Sequence, residues 1–352
     1  MAKQESTQSL APKVIVGVDT HKYVHVAVAI DTRGVRLGDC AFVADSGGYQ
    51  ALLAWAATHG PLEAFGVEGT GSDGDGLARA LRRAGRRVVE VNRGDRRTRR
   101  VAGTSDAIDA EVAARSVLAG QATAIPKTAD GAVEMIRELT IARDTAVKAR
   151  SAAMITLKQI VVHAPSVVRE ALHALTDHRL LTLRRPPTGS ARDTRRVRQV
   201  HAALARRGLA LAKELAMHDR PLARLTIATS PTLREGFGVG ANVAAELLIV
   251  FGDNPERIRW EAAFAKLCGA CPIPASSGRT TGGHRQANAA LYRAVIVRMQ
   301  YHQPTLDYVV RRTADGRTKR EISRCLKRFL AREIYQRVMT DVRARLDVAH
   351  AA

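Results

Sequence analysis

Short apolar runs separated by turn residues open the chain. Residues 14–19, 25–30 and 36–43 read as strands, parted by turns such as Asp31-Thr-Arg-Gly34, and three consecutive runs of this kind imply an antiparallel meander. The period then alternates. The spacing predicts a helix over 48–59, an apolar strand over 64–68, a helix over 76–84 and a strand over 87–91. A meander followed by β-α-β alternation gives an α/β sheet with helices on its faces. In Thr104-Ser-Asp-Ala-Ile-Asp-Ala-Glu111 a further helix begins, with Thr104 or Ser105 as its N-cap.

After Pro126 the character changes. From 131 to about 225 the chain is rich in Ala, Leu, Arg and Glu at helical spacing, which predicts long helices. The paired prolines of Arg184-Arg-Pro-Pro-Thr-Gly-Ser190 must end one of them, so an antiparallel helical pair or coiled coil is expected. Residues 226–345 are helical again around a Gly/Pro/Ser-rich loop at 268–283. The expected division is a flexible tail at 1–12, a mixed-sheet domain at 13–125, a helical linker at 126–225 and a mostly helical domain at 226–345. The longest apolar stretch, 243–251, is interrupted by Glu246 and is far shorter than the ~20 residues that cross a bilayer. The first 13 residues hold no apolar core of a signal peptide, so a cytoplasmic protein without membrane contact is expected.

Charge narrows the class of function. Among 352 residues, 55 Lys+Arg face 34 Asp+Glu, a formal charge of +21, which is too basic for an ordinary metabolic enzyme and points to nucleic acid. With 46% hydrophobic residues the chain also has material for real cores, which excludes a disordered basic tail. Three blocks, 82–100, 179–207 and 311–332, hold nine Arg/Lys each and few acids. Neutralising partners inside them are scarce, which favours polyanion binding, with Arg96, Arg97, Arg195 and Arg196 as candidate contacts. Aromatic residues make up only 4%, so base stacking is not the main binding mode. Tyr292, Tyr301 and Tyr335 fall in helical patterns and read as core. Cys268-x-x-Cys271 lacks a second pair at ligand spacing and reads as buried or incidental thiols, not zinc. Glu235-Gly-Phe-Gly-Val-Gly-Ala-Asn242 matches either a helix-hairpin-helix, with Gly238 and Gly240 presenting amides to a DNA phosphate, or a plain glycine turn between core helices.

Against this basic background the acids at strand ends stand out. Asp19 closes the first strand, Glu68 closes the fourth before small residues, and Asp106 and Asp109 share one face of a predicted helix. If those strands are neighbours and the helix packs beside them, four carboxylates converge. Two Mg²⁺ ions held in this way suit in-line displacement at a phosphodiester, and without metal the acids would repel one another. His21 and His25 straddle the turn after the first strand and read as exposed or packing residues, although His21 and Lys22 stand close enough to Asp19 to touch phosphate. The order Asp, Glu, Asp-x-x-Asp on this layout resembles the RNase H-like nuclease fold, and within it the Holliday-junction resolvase branch.

The loop Cys268-Gly-Ala-Cys-Pro-Ile-Pro-Ala-Ser-Ser-Gly-Arg-Thr-Thr-Gly-Gly-His-Arg-Gln-Ala-Asn288 places serines near Arg279, His284 and Arg285, cations able to hold phosphate oxygens during attack by a serine. Together with the four acids and the helical middle, its Pro-x-x-Ser-Gly and Gly-x-Arg-x-x-Asn pattern resembles the insertion-sequence-110 family of DEDD transposases, the bridge-RNA-guided recombinases. That resemblance implies a RuvC-like domain with Asp19, Glu68, Asp106 and Asp109 as metal ligands, a helical coiled-coil middle, and a C-terminal transposase domain. In that domain Ser277, or its neighbour Ser276, would bond to a DNA 5′ end, with Arg279, His284, Arg285 and Asn288 around the nucleic acid. It further implies element-end and target DNA, a structured noncoding guide RNA, and dimers assembling into a tetramer whose sites are shared between subunits. The rivals are a junction-resolving nuclease that uses water and a non-catalytic nucleic-acid-binding protein.

Overall fold

A computed structural model describes residues 12–92, 105–183, 191–271 and 283–351, with the backbone alone for 191–198 and 349–351. The chain divides into two compact units, Met1–Ala129 and Asp130–Ala352. Among the described residues no helix is long and apolar enough to cross a membrane.

The first unit runs β1 (Val14–Thr20), β2 (Val24–Asp31), β3 (Arg36–Val43), α1 (Ser46–Thr58), β4 (Leu62–Glu68), α2 (Asp75–Arg83), β5 (Val88–Val91) and α3 (Asp106–Leu118). The predicted strands and helices are all present, displaced by at most two residues. The sheet order is β3-β2-β1-β4-β5, so β1 is central. It pairs antiparallel with β2 and parallel with β4, while β5 extends the parallel side. Because side chains alternate along a strand, Val14, Val16 and Val18 meet Leu52, Ala56, Leu77 and Leu81 of α1 and α2. On the opposite face Ile15 joins Ala110, Ala113 and Ala114 of α3. The result is the RNase H-like mixed sheet that the strand pattern and acids suggested.

Two glycines set the height of α3 over the sheet. A Cβ on Gly17 would lie 1.9 Å from the Ala110 carbonyl oxygen, and one on Gly66 would lie 2.8 Å from Cγ2 of Val117. Only hydrogen at both positions lets the alanine-lined face of α3 rest directly on strand backbone. Ser105 is the N-cap, its hydroxyl accepting from the Ile108 amide at 3.3 Å.

The second unit is helical: α4 (Ala132–Val162), α5 (Ser166–Leu172), α6 (Asp177–Thr182), α7 (Ala191–Thr229), α8 (Pro231–Arg234), α9 (Ala241–Phe251), a 3₁₀ turn (Pro255–Arg257), α10 (Glu261–Leu267), α11 (Arg285–Tyr301), α12 (Gln303–Ala314) and α13 (Lys319–Ala351). The expected long antiparallel pair is α4 against α7. Its direction follows from Arg143 pairing with Asp219 near one end, while Leu157 and Val161 cluster with Ala205 near the other. The first helix stops earlier than the paired prolines would require. Pro165 cannot continue α4 and disfavours helical geometry at the residue before it, so two short helices intervene. The stretch 184–190 itself lies outside the described residues.

Every residue of α9 from Val243 to Phe251 is buried, including Glu246, as expected for a helix apolar all round. Burial, reinforced by Asp144, pushes the Glu246 carboxyl up, against the pull of Arg293 and Arg143. The tyrosines divide. Tyr335 packs with Phe251 and Phe264 and donates to the Ile258 carbonyl, as expected of core. Tyr292 and Tyr301 are 50% and 71% exposed, contrary to the core reading, because α11 buries the stripe Ala287, Ala290, Leu291, Ala294 and Val295 instead.

Candidate active site

Asp19 and Glu68 are brought together by strand pairing. In the parallel register Gly17 faces Gly66 and Val18 faces Val67, so Asp19 and Glu68 stand next in line on neighbouring strands. The Thr20 hydroxyl donates to the Glu68 carbonyl oxygen at 2.9 Å and ties the two strand ends. Alternation puts Asp19 on the face of Gly17, and Glu68 on that of Gly66, the face that α3 covers. Both acids are 4% exposed. Asp106 and Asp109 lie in the first turn of α3, with Asp106 exposed and Asp109 half-buried. Asp19 and Glu68 thus stand at one end of one sheet face, and Asp106 and Asp109 lie in the first turn of the helix that covers that face.

The closest group is narrower than the four. Asp19, His21 and Asp106 each present one ligand atom, and these atoms lie within 4.8 Å of one another. His21 Nε2 is 3.2 Å from Asp19 Oδ2 and 3.4 Å from Asp106 Oδ1, at ion-pair distance though not aligned as a hydrogen bond. Glu68 and Asp109 are not members of this close group. His21 is the functional candidate that periodicity undervalued. Its signal was the Asp19-x-His21 spacing, which at a strand end returns the second side chain to the face of the first. Two carboxylate oxygens and an imidazole nitrogen at this spread fit a single divalent cation; a hard cation favours the oxygens.

Next to this group stands His25, wholly buried, stacked on Tyr49 with ring centroids 5.8 Å apart and neither ring nitrogen hydrogen-bonded. Burial lowers its pKa, with Asp73 opposing and His21 adding to the effect.

The other predicted residues fare differently. Ser276, Ser277, Arg279, Arg96 and Arg97 lie outside the described residues, as do the side chains of Arg195 and Arg196. His284 is the N-cap of α11, its Nδ1 accepting from the Ala287 amide, and Arg285 is exposed beside it. Asn288 donates from Nδ2 to the carbonyls of Cys268 and Gly269. Gly238 has φ +76 and lies against α11, where a Cβ would come 3.0 Å from the Ala294 carbonyl oxygen. The positive φ and the close packing both favour glycine at this position. Gly240, by contrast, caps α9 with open space around it. Arg234 and Arg298 hold the turn between them by donating to the carbonyls of Val239 and Phe237. Cys268 is buried, and that burial pushes its thiol up to about 12.

The basic blocks are less bare than their local composition implied. Arg82 donates to the carbonyls of Lys127 and Thr128. Arg328 and Arg332 share Glu261, an acid distant in sequence, while Arg312 and Arg317 pair with Asp315 and Glu321. Lys319, Arg320 and Arg324 have no ion pair among the described residues, and all three are exposed.

An RNase H-like sheet whose strand ends and covering helix present Asp, Glu and Asp-x-x-Asp defines a DEDD-type nucleic-acid-processing domain. Residues 16–164 match a DEDD-type family of the IS110 kind described as Transposase, and residues 230–311 match one described as Transposase IS116/IS110/IS902 family. The two matches together take in well over half of the chain, and the chain belongs to the IS110 family of transposases, enzymes of insertion sequences that act on DNA. No curated protein matches the sequence.

Proposed function

We propose that this transposase catalyses RNA-guided, site-specific cleavage, exchange and rejoining of DNA strands in the cytoplasm, with Ser277 as nucleophile. Asp19, Glu68, Asp106 and Asp109 hold Mg²⁺, two ions per site, and the four-part division of the chain expected from its sequence carries these roles. The observation that supports the reading best is the convergence on one sheet face of two buried strand-end acids with the first turn of α3. When bound, the metal supplies a Lewis acid that polarises the scissile phosphate.

The chain's own residues do the rest. The Ser277 hydroxyl gives up its proton and its oxygen bonds to phosphorus, while the bond from phosphorus to the 3′ oxygen breaks and that oxygen leaves as a 3′-hydroxyl. Attack by a second strand's 3′-hydroxyl on the phosphoserine reverses these steps and releases the serine, so no external nucleotide is consumed. Arg279, His284, Arg285 and Asn288 border the reacting strand; Gly238, Gly240, Arg96, Arg97, Arg195 and Arg196 grip backbones, as suffices when base pairing to a guide RNA reads sequence. Subunits joining through α4 and α7 bring the serine of one to the acids of another. In support of that assembly, the exposed Ile141, Ile155 and Val162 of α4 fall at multiples of seven residues, a coiled-coil spacing.

The test is to incubate wild type, Ser277→Ala, Ser276→Ala, Asp19→Ala and Asp109→Ala with paired DNA substrates and the element's flanking RNA. Recombined product and protein-bound DNA are expected from wild type and Ser276→Ala alone. DNA that never attaches to wild type would overturn the serine mechanism, and cleavage surviving in Ser277→Ala would assign the reaction to water.

A further inference from the structure

We propose that His21 is a metal ligand whose nitrogen makes one of the two ion positions select a transition ion such as Mn²⁺ over Mg²⁺; the inference rests on the reading of the neighbouring acids as metal ligands. The local sequence sets the residue up. In Asp19-Thr20-His21 the period of a strand returns the third side chain to the face of the first. The His21 amide donates to the Val24 carbonyl at 3.2 Å and closes the turn into β2, which holds His21 one step beyond Asp19. Opposite it, α3 is seated by Gly17 and Gly66 and begins at the Ser105 cap, which brings Asp106 to the same spot.

Three donor atoms meet there. His21 Nε2 stands 3.2 Å from Asp19 Oδ2 and 3.4 Å from Asp106 Oδ1, and all three atoms lie within 4.8 Å of one another. Neighbouring ligands of an octahedral ion bound at about 2.1 Å are about 3 Å apart, so these spacings approach those of adjacent coordination positions. A ring nitrogen that served only to bridge the acids would aim its N–H at one of the oxygens. Here Nε2 is shielded from solvent, aligned with neither oxygen and engaged in no hydrogen bond with any described residue. A shielded nitrogen beside two carboxylates is satisfied by a cation among them, and a metal ion serves all three donors at once.

The other imidazole nearby does not share this place. His25 pairs with Thr20, one residue out of phase with Asp19, so it lies on the opposite face of the sheet, stacked on Tyr49. Glu68 and Asp109, outside the close group, bring oxygen donors alone. The two ion positions are therefore unlike, one with a nitrogen ligand and one made of oxygens. Mg²⁺ takes oxygen ligands and gives up its waters reluctantly, whereas a nitrogen donor strengthens the binding of transition ions. His21 thus sets the choice of metal at the position it shares with Asp19 and Asp106.

The experiment titrates untagged full-length wild type, His21→Gln, His25→Phe and Asp19→Ala with Mn²⁺, follows the free ion by electron paramagnetic resonance, and displaces the bound ion with Mg²⁺. The tighter wild-type site is expected to hold Mn²⁺ at least tenfold more strongly than Mg²⁺, and the spin-echo signal of the bound ion should carry nitrogen modulation from an imidazole. His21→Gln offers an amide oxygen in place of the ring nitrogen. It should abolish the modulation and weaken Mn²⁺ at least tenfold while Mg²⁺ stays within threefold; His25→Phe should keep the modulation and the affinity. A wild-type signal without nitrogen modulation, or Mn²⁺ bound equally or more tightly by His21→Gln, would overturn the proposal and leave His21 as a cation paired with the acids. Mn²⁺ binding that persists unchanged in Asp19→Ala would instead overturn the reading of the acids as ligands, and the proposal with it.

Discussion

At Gly17 the backbone of β1 and the α3 helix approach as closely as two chain segments can. A methyl group there meets the Ala110 carbonyl oxygen at 1.9 Å, so Gly17→Ala must lift α3, and Asp106 and Asp109 with it. Overpacking of this kind costs about 1–3 kcal/mol. Urea denaturation is expected to show that loss together with impaired DNA cleavage. Gly71→Ala, at a position with nothing within 4 Å, should be neutral in stability. His25 gives a second prediction at this scale. Its folded pKa lies below the ordinary value of 6.5, so as pH falls through that value the unfolded chain gains a proton that the folded chain resists. Stability is therefore full above about pH 6.5 and declines below it. His25→Phe should shrink the fall in melting temperature between about pH 7.5 and 5.5; an undiminished fall would shift the effect to His201, likewise buried with a lowered pKa.

Among the elements, α4 depends on a cap from far along the chain. Asp253 accepts from the amides of Gly131, Val133 and Glu134 at 3.1, 2.7 and 3.1 Å, satisfying N–H groups that no residue at the helix start can reach. Gly131 is glycine because a Cβ would lie 2.4 Å from Asp253 Oδ1. Losing such a cap costs about 1–2 kcal/mol. Asp253→Ala should therefore lower the urea midpoint, with faster amide exchange in the first turn of α4, and Asp253→Asn should retain part of the stability. Equal stability in all three proteins would show that the cap contributes nothing.

For the molecule as a whole, the sharpest expectation concerns assembly. A charge at Ile155, 59% exposed on the outer side of α4, should leave the monomer folded and weaken the oligomer. Sedimentation velocity of Ile155→Glu is expected to show a smaller species than wild type and no strand exchange; a wild type that sediments as a monomer on DNA and RNA would contradict the shared site. The order of residues by itself determined the elements, because periods of two and of 3.6 are local properties of strand and helix. It also gave the acids, since Asp19, Glu68 and Asp106 mark a strand end or a helix start. What it left undecided is who meets whom. That Thr20 ties to Glu68, 48 positions away, that Asp253 caps a helix 120 positions earlier, and that Glu261 quiets arginines in a distant basic block are consequences of the chain returning on itself. His21 between two acids and Asn288 across a loop base belong to the same class: hydrogen bonds and ion pairs between distant segments have no period, so only the tertiary structure decided them.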